Sequence, residues 1–333
     1  MYRIGKHYTL FRQVVDQSNE GLLVEDFLLQ HIDYLTEDKA AHLIETQKVL
    51  SNGTPVGHEK LVHQGDSITA IIARQPEEIQ ILPEDIDLNI VFEDADVVVI
   101  DKPAGMVMHP GPGHWTGSVA NALAYRYDNL PVLRFSEDNP GLVHRIDKDT
   151  SGLLVACKTQ KALDSLAEQF QKHHIERVYH AIVLGEMKGK QGTIDQPIGR
   201  SAADYRKRAV YEAAESFGKY AITHYWVEGT GGGLTHIRCS LDTGRTHQIR
   251  VHLQHLGYPL LGDTMYKQYT EEAKQLTELY KSKLDRQALH ANVLGFKHPI
   301  SNQYMRFTSP YPSDFEKVLE AMASANSTME RTG

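Results

Sequence analysis

The sequence contains little cysteine and no long apolar run, and each absence excludes a class of protein. Among 333 residues there are only two cysteines, Cys157 and Cys239, too few for a disulfide scaffold or a zinc site with four cysteine ligands. No segment reaches the roughly 18 apolar residues of a membrane span, and the start, MYRIGKHYTLFRQVV, lacks the apolar stretch of a signal peptide. We therefore expect a soluble, cytoplasmic protein.

The composition is that of a globular protein with an uneven charge distribution. Hydrophobic residues make up 41% of the chain and charged residues 23%, enough for a large core. The formal net charge of −8 argues against a protein that coats nucleic acid without specificity. Residues 141–210, however, contain twelve lysines and arginines and only eight aspartates and glutamates. A local basic groove therefore remains compatible with the acidic total.

The pattern of apolar residues divides the chain into four regions. Residues 11–75 are predicted to form a small α/β module with two helices, a closing strand and a hairpin turn at Asn52-Gly53. Residues 76–88 are rich in proline and acids, which favours a linker. Residues 89–321 are predicted to form a larger α+β domain. Residues 322–333, MASANSTMERTG, are expected to be a disordered tail.

Within the larger domain, strands and helices follow from local periodicity. VVVIDKPAG, RVYHAIVLG, AITHYWVEG and LTHIRCSLDTG are typical of strands. TQKALDSLAEQFQKHH predicts a helix with Thr159 as its N-cap and an apolar stripe through Leu163, Leu166 and Phe170. THQIRVHLQHLGY predicts a short helix that ends at Gly257.

One stretch, GLVHRIDKDTSGLLV at residues 141–155, places a dense group of charges between two apolar runs. A solvated turn is one interpretation. A calcium loop is another, but Lys158 stands where that loop needs a glutamate, so we reject a metal here. In a third, extended backbone directs Arg145 and Asp147 into one cleft, where buried charges must be paired or used. A glycoside hydrolase that uses Asp147 and Asp149 is a further alternative.

The segment HRIDKDTSGLL resembles the signature of the RluA family of pseudouridine synthases, His-Arg-Leu-Asp followed by Thr-Ser-Gly-Leu, with Ile146 in place of leucine. Further blocks occur in the family's order over roughly residues 90–310: VVVIDKPAGMVMHPGPGH, RVYHAIVLG, AITHYWV, LDTGRTHQIRVHL, GYPLLGDTMY and LHANVLGFKHP. The resemblance implies the α+β pseudouridine synthase fold, with a central mixed, mainly antiparallel sheet and a catalytic cleft. It also implies an isomerase that needs neither cofactor nor metal.

The same resemblance assigns roles to individual residues. Asp147 matches the catalytic aspartate, and Arg250 matches the arginine that pairs with it, with Arg245 as the competing candidate. Tyr179 resembles the aromatic residue that packs on the target uracil. Arg145 resembles the residue that takes the place of the everted uridine in the base stack. Beside an RNA cleft, three consecutive basic residues become candidates for phosphate contacts: Arg206, Lys207 and Arg208.

The N-terminal module resembles the alpha-L RNA-binding motif, a small ribosomal-protein-like module often fused to this family. It departs from that motif at Leu23, where arginine is usual, and at Gln47, where glycine is usual. Between residues 11 and 75 there are ten acidic and five basic residues. The fold is therefore expected to be retained, whereas RNA binding by this module is in doubt.

The sequence thus predicts a monomeric enzyme that isomerises uridines in structured RNA. Relatives with the added module modify large-subunit ribosomal RNA more often than transfer RNA, so we expect ribosomal RNA as the partner and no membrane or small-molecule cofactor. A transfer-RNA synthase of the same family is one alternative. A catalytically silent RNA-binding or assembly factor is another.

Overall fold

The computed structural model describes residues 2–4, 8–32, 35–73, 81–111, 113–132, 139–201, 203–204, 206–212, 218–267 and 270–332. The described residues form two compact units, one within residues 1–82 and 110–116, and the other within residues 83–109, 117–132 and 139–333. No helix in these ranges is long and apolar enough to cross a membrane.

The first unit is a five-stranded antiparallel sheet with two short helices. Its strands lie in the order β1-β2-β5-β3-β4. A single apolar cluster that includes Phe11, Phe27 and Ile68 fills the space between sheet and helices. The elements are β1 (Tyr2–Ile4), β2 (Tyr8–Val14), a 3-10 turn (Gln17–Asn19), α1 (Val24–His31), α2 (Glu37–Glu45), β3 (Val49–Ser51), β4 (Thr54–Pro55) and β5 (Ser67–Ala73).

Two turns of this unit show how local sequence determines backbone. Asn52 and Gly53 both have positive φ, +53° and +85°, and join β3 to β4, which confirms the predicted hairpin. Gln47 also has a positive φ, +56°. This position is the one where the alpha-L motif usually has glycine, so the backbone keeps a conformation that glycine adopts most easily.

The second unit is built on a nine-stranded mixed sheet, as predicted. The strand order is β10-β13-β14-β9-β15-β8-β7-β6, and β16 pairs with β15. All pairings are antiparallel except that of β15 with β8. The strands are β6 (Ile90–Glu93), β7 (Val97–Lys102), β8 (Ser151–Cys157), β9 (Glu176–Leu184), β10 (Gln191–Asp195), β13 (Ile222–Gly231), β14 (Leu234–Leu241), β15 (Leu289–Lys297) and β16 (Tyr304–Thr308), with β11 (Ile198–Arg200) and β12 (Arg208–Val210) as a separate ribbon.

Helices pack on this sheet, and α4 begins where the sequence predicts. In α4, Thr159 is the N-cap and its side chain accepts a hydrogen bond from the Ala162 amide, as expected. Leu163 and Leu166 are buried on its inner side. The helices of this unit are α3 (Val119–Arg126), α4 (Gln160–Gln171), α5 (Gln248–His255), α6 (Glu271–Tyr280) and α7 (Ser313–Thr332).

The predicted disordered tail is wrong for the part of it that the structure describes. Helix α7 runs without interruption to Thr332. Phe315, Val318 and Met322 recur at helical spacing and are buried against β9 and β14. The Asn326 side chain also donates a hydrogen bond to a backbone carbonyl of β13, at 2.6 Å. The small polar residues of the tail therefore continue a helix that already has a core-facing stripe.

The linker expected at residues 76–88 is only partly described. Residues 76–80 lie outside the described residues, and residues 81–89 contain neither helix nor strand. The limits of the linker and of the two domains remain predictions.

Candidate active site

The charged insert of residues 144–149 lies in an irregular segment that leads into β8. Ile146 is buried and anchors the middle of the segment, whereas Arg145 is exposed and Asp147 is half-buried. A tight turn follows, because the Asp147 carbonyl accepts a hydrogen bond from the Thr150 amide. Arg145 and Asp147 both line one small cavity. Arg145 and Asp147 therefore border a cleft and are not inserted into the core.

Asp147 is paired with an arginine from helix α5. Arg250 Nη1 donates to Asp147 Oδ2 at 2.9 Å, across 103 residues of chain. The same guanidinium donates from Nε and Nη2 to the two carboxylate oxygens of Asp263, at 2.7 and 3.0 Å. Burial opposes the charge on Arg250, but the hydrogen bonds and negative charge of Asp263, and then of Asp147, raise the pKa of Arg250. One guanidinium thus holds two carboxylates in fixed positions.

Asp263 was not singled out by sequence analysis, although it orients the arginine. Its side chain is fully buried, and its Oδ1 also accepts hydrogen bonds from the amides of Met265 and Tyr266. An aspartate that bonds to amides two and three residues later is typical of a turn. The segment GDTMY could therefore have predicted this turn. Nothing local to that turn indicates the arginine on α5.

The two candidate arginines of α5 and its preceding loop make different contacts. Arg245 donates from Nε to the carbonyl of Tyr220 at 2.9 Å, and its amide donates to Gln248 Oε1. It lines the cavity, but its guanidinium bonds to the backbone just before β13, while Arg250 bonds to Asp147. The position of Arg250 in the buried part of α5 explains this difference.

His247 lies beside Asp147 and was also missed. It has φ +60° at the N-terminus of α5, a left-handed conformation that only a few residue types adopt readily. Its Nδ1 is 2.8 Å from the hydroxyl of Tyr266, and its Nε2 is 3.9 Å from Asp147 Oδ1. Burial lowers the pKa of His247 to about 4, against the opposing charge of Asp147. The imidazole is therefore neutral at pH 7.

The cavity in front of Asp147 has a volume of about 50 Å³ and a mixed lining. Tyr179, on β9, is 9% exposed, and burial raises the pKa of its phenol, which stays protonated. Apolar side chains complete the walls, so the carboxylate faces a cavity lined by both polar and apolar groups. The apolar lining residues are Ile146, Leu241, Ile249 and Leu289.

Beneath the insert, a buried lysine fixes the backbone. Lys102, at the end of β7, is 1% exposed, and its ammonium donates to the carbonyls of Pro103, Met106 and Lys148 at 2.8 to 2.9 Å. Burial lowers its pKa to about 7, and the carboxylate of Asp149 opposes that shift. Because one acceptor is the carbonyl next to Asp147, Lys102 positions the turn that presents the carboxylate.

Comparison with known proteins identifies the family. Residues 96–255 match the family model of RNA pseudouridylate synthases. An RNA pseudouridine synthase of Chlorobaculum parvum is 42% identical over 315 residues, 92% of this chain and 95% of that protein. The chain belongs to the RluA family of RNA pseudouridine synthases. Ribosomal large subunit pseudouridine synthase D of Pseudomonas aeruginosa is 40% identical, over 84% of this chain and 85% of that protein, and that of Escherichia coli K12 is 37% identical, over 92% and 93%.

A solved structure agrees on the fold. Human RNA pseudouridylate synthase domain containing 1 superposes with a TM-score of 0.55 at 22% identity, over 72% of this chain and 96% of that one. Membership of this family makes the protein an isomerase, because pseudouridine has the same atoms as uridine. The sequence-based prediction of family, fold and enzyme class is confirmed.

The basic residues predicted to meet RNA in this pseudouridine synthase lie in two places. Arg145 and Arg245 line the cavity of Asp147. Lys207 and Arg208 line a separate groove of about 490 Å³ between the β11–β12 ribbon and α5. Arg206 forms two hydrogen bonds with Asp204, both at 3.1 Å. The three consecutive basic residues therefore do not share the cavity of Asp147.

A cluster elsewhere in this unit has the residue types of a metal site. Asp94, Asp96 and His298 bring their ligand atoms within 4.8 Å of one another. The Nδ1 of His298 accepts hydrogen bonds from two backbone amides, at 3.3 and 3.1 Å, so its Nε2 carries the proton and faces Asp94 at 2.8 Å. A protonated Nε2 does not ligate a metal. This cluster is explained as a hydrogen-bonded turn.

Proposed function

We propose that this enzyme converts specific uridines of large-subunit ribosomal RNA into pseudouridine and that Asp147 is its catalytic carboxylate. The ribosomal substrate is supported by the names of relatives that align with most of this chain. The catalytic assignment rests on one observation: the Asp147 carboxylate borders a small cavity and is held by Arg250 at 2.9 Å. A carboxylate in that position is accessible from the cavity and rigidly oriented.

The reaction breaks the bond between ribose C1′ and uracil N1, turns the base, and joins C1′ to C5. The hydrogen that C5 loses passes to solvent, and a proton returns to N1, so no electrons are exchanged. Asp147 acts at the sugar in one of two ways: its carboxylate attacks C1′, or it removes the proton from C2′. Both need a negatively charged oxygen, and the guanidinium of Arg250 stabilises that charge.

A uridine inside folded RNA must leave the base stack to reach this cleft. Tyr179 is well placed to pack on the everted uracil, because its ring lies in the cavity wall near Asp147. Arg145, exposed at the rim, would fill the space that the base leaves in the RNA. Arg206, Lys207 and Arg208 would contact phosphates beyond the cleft.

The N-terminal unit fits an RNA-binding module that has lost much of its affinity. Its five-stranded sheet and the positive φ of Gln47 support retention of the fold. The excess of acidic residues between positions 11 and 75 would repel phosphates. We therefore assign target recognition chiefly to the larger unit.

The test is a map of pseudouridines in total RNA from cells with and without the gene, with the gene restored as wild type, Asp147→Asn or Asp149→Asn. We expect one or more ribosomal sites to disappear, to return with wild type and Asp149→Asn, and to stay absent with Asp147→Asn. Asp149 is the matched control because its side chain lies outside the cavity lining.

Each other outcome is decisive. Missing sites in transfer RNA would replace the ribosomal substrate, and no missing site would favour the silent assembly factor. Sites restored by Asp147→Asn would refute the catalytic assignment. Deuterium at ribose C2′ distinguishes the two routes, since removal of that proton gives a primary isotope effect, whereas attack at C1′ gives only a small secondary one.

A further inference from the structure

The arrangement around His247 defines which of its two ring nitrogens carries the proton. The Tyr266 hydroxyl accepts a hydrogen bond from the Arg208 amide at 2.8 Å and lies 2.8 Å from His247 Nδ1. Burial raises the pKa of Tyr266 to about 12, so the hydroxyl keeps its hydrogen. Among the described residues, His247 Nδ1 is the acceptor available to that hydrogen. Nδ1 therefore accepts, and Nε2 of the neutral ring carries the proton.

The Nε2 atom of His247 lies near the catalytic carboxylate but does not bond to it directly. The distance from His247 Nε2 to Asp147 Oδ1 is 3.9 Å, too long for a hydrogen bond. Asp147 Oδ2 is bonded to Arg250, whereas Oδ1 has no hydrogen-bond partner among the residues that the structure describes. An oxygen atom about 2.8 Å from both Nε2 and Oδ1 would fit this gap, with an angle of about 90° at that oxygen.

The chemistry of the two flanking groups selects the kind of oxygen. It must accept a hydrogen bond from His247 Nε2–H and donate one to the Asp147 carboxylate. Uracil carbonyls and phosphate oxygens only accept, and uracil N3–H only donates. A hydroxyl does both. Within an RNA chain the 3′ and 5′ oxygens are esterified, so the 2′-hydroxyl is the free hydroxyl of each ribose, and it lies on the carbon next to C1′.

We propose that His247 and Asp147 together bind the 2′-hydroxyl of the target uridine, and that His247 is a residue by which the enzyme distinguishes RNA from DNA. This inference rests on the proposed function, because it takes Asp147 to lie against the reacting sugar. Contact with the 2′-hydroxyl is the general means by which a protein recognises ribose. It also aligns C1′ and C2′ with the carboxylate, whichever of the two atoms reacts.

Two substitutions of His247 separate the hydrogen bond from the fold. Asparagine is favoured at positive φ, and its amide oxygen replaces Nδ1 as the acceptor for Tyr266, but it has no group at the place of Nε2. The amide nitrogen of glutamine lies near the place of Nε2. We expect His247→Asn to be folded and to lose roughly tenfold to a hundredfold in kcat/KM, and His247→Gln to recover most of that loss.

The assay is release of tritium from RNA labelled at uridine C5, with a fragment that carries a uridine mapped to this enzyme. Unlabelled fragments with ribose or 2′-deoxyribose at the target uridine then compete in the same assay. Wild type should bind the ribose fragment at least tenfold more tightly than the deoxyribose fragment. For His247→Asn we expect that preference to fall severalfold.

The outcomes distinguish this inference from the proposed function. If wild type releases no tritium, or Asp147→Asn does, the function itself is wrong. If wild type is active and Asp147→Asn is not, but His247→Asn keeps the full preference for ribose, only the role of His247 is refuted. Equal defects in the asparagine and glutamine variants would likewise refute the Nε2–H contact and assign His247 to the local fold.

Discussion

Replacing Arg250 by lysine keeps the positive charge and removes the planar fork, so it measures what the fork contributes. The guanidinium makes three hydrogen bonds, two to Asp263 and one to Asp147, between 2.7 and 3.0 Å. A lysine ammonium is a single point of charge on a flexible stem. It can lie against one of the two carboxylates but leaves the other, whose side chain is 15% exposed or less, without its cation.

The expected loss in the free energy of unfolding follows from the hydrogen bonds that lysine does not replace. A hydrogen bond to a charged group contributes about 1.5–3 kcal/mol, so the loss of two of the three is about 3–6 kcal/mol. Breaking a buried ion pair costs about 3–5 kcal/mol in other proteins. We therefore expect Arg250→Lys to lower the free energy of unfolding by about 3–5 kcal/mol, a large share of the 5–15 kcal/mol typical of a folded protein.

The assay is urea unfolding followed by tryptophan fluorescence, together with tritium release for activity. Arg238→Lys is the matched control, because Arg238 is half-exposed, pairs with Glu228 and stacks on Trp226. We expect this variant to lose less than about 1 kcal/mol of the free energy of unfolding. An Arg250→Lys variant within about 1 kcal/mol of wild type would refute the reasoning, because the bidentate contact would then contribute nothing beyond charge.

Arg250→Met adds a test by pH. Without the cation, two neighbouring carboxylates are buried, and the folded variant retains a proton that the unfolded chain releases at neutral pH. A folded state that binds more protons becomes more stable as the pH falls. The deficit of Arg250→Met relative to wild type should therefore shrink from pH 7 toward pH 4.5, and a constant deficit would contradict the coupling.

Three further predictions concern a glycine, a lysine and two histidines of the larger unit. Gly152→Ala should prevent stable folding, because Gly152 has φ +111° and an added Cβ would collide with the backbone of Ala291. The control is Gly257→Ala, at φ +84° with open space around it, which should lower the free energy of unfolding by only about 1–2 kcal/mol. Soluble yield and urea unfolding measure both effects. Lys102→Met should lower the free energy of unfolding by about 3 kcal/mol, since three partly buried carbonyls each lose a donor; unchanged urea unfolding would contradict it. Burial lowers the pKa of His144 to about 3 and that of His180 to about 4, so each binds a proton on unfolding below pH 6.5. Between pH 6.5 and 4.5, each of these two histidines should therefore lower the free energy of unfolding by up to about 1.4 kcal/mol for every pH unit. Unfolding without proton uptake would refute this.

Local elements were predictable because their determinants are adjacent in the chain. Thr159 caps α4 through an amide three residues away, and the β3–β4 hairpin depends on two residues that tolerate positive φ. The tail failed because we weighed its small polar residues and overlooked the stripe of Phe315, Val318 and Met322. Composition is a weaker signal than spacing when a helix already has one buried face.

The site was predictable only in part, and mainly through family resemblance. The spacing of charges placed Arg145 and Asp147 at one cleft, but nothing in the local pattern selects Arg250, which lies 103 residues further on. Asp263, His247 and Lys102 were missed for a related reason. In sequence they are an ordinary turn aspartate, a histidine before a helix and a lysine after a strand, and their roles arise from contacts that only the folded chain makes.

The two oxygens of Asp147 have different surroundings, and Asp263 is the cause. Because Asp263 takes two of the three N–H groups that Arg250 uses, the guanidinium reaches Asp147 through Nη1 alone and bonds to Oδ2. If Arg250 bonded to Asp147 through both arms, both oxygens would be occupied, and the carboxylate would be a structural ion pair. The shared arginine instead orients the carboxylate through Oδ2 and leaves Oδ1 toward His247 and the cavity. This division explains how a residue can be held rigidly by an ion pair and still present an oxygen to a ribose.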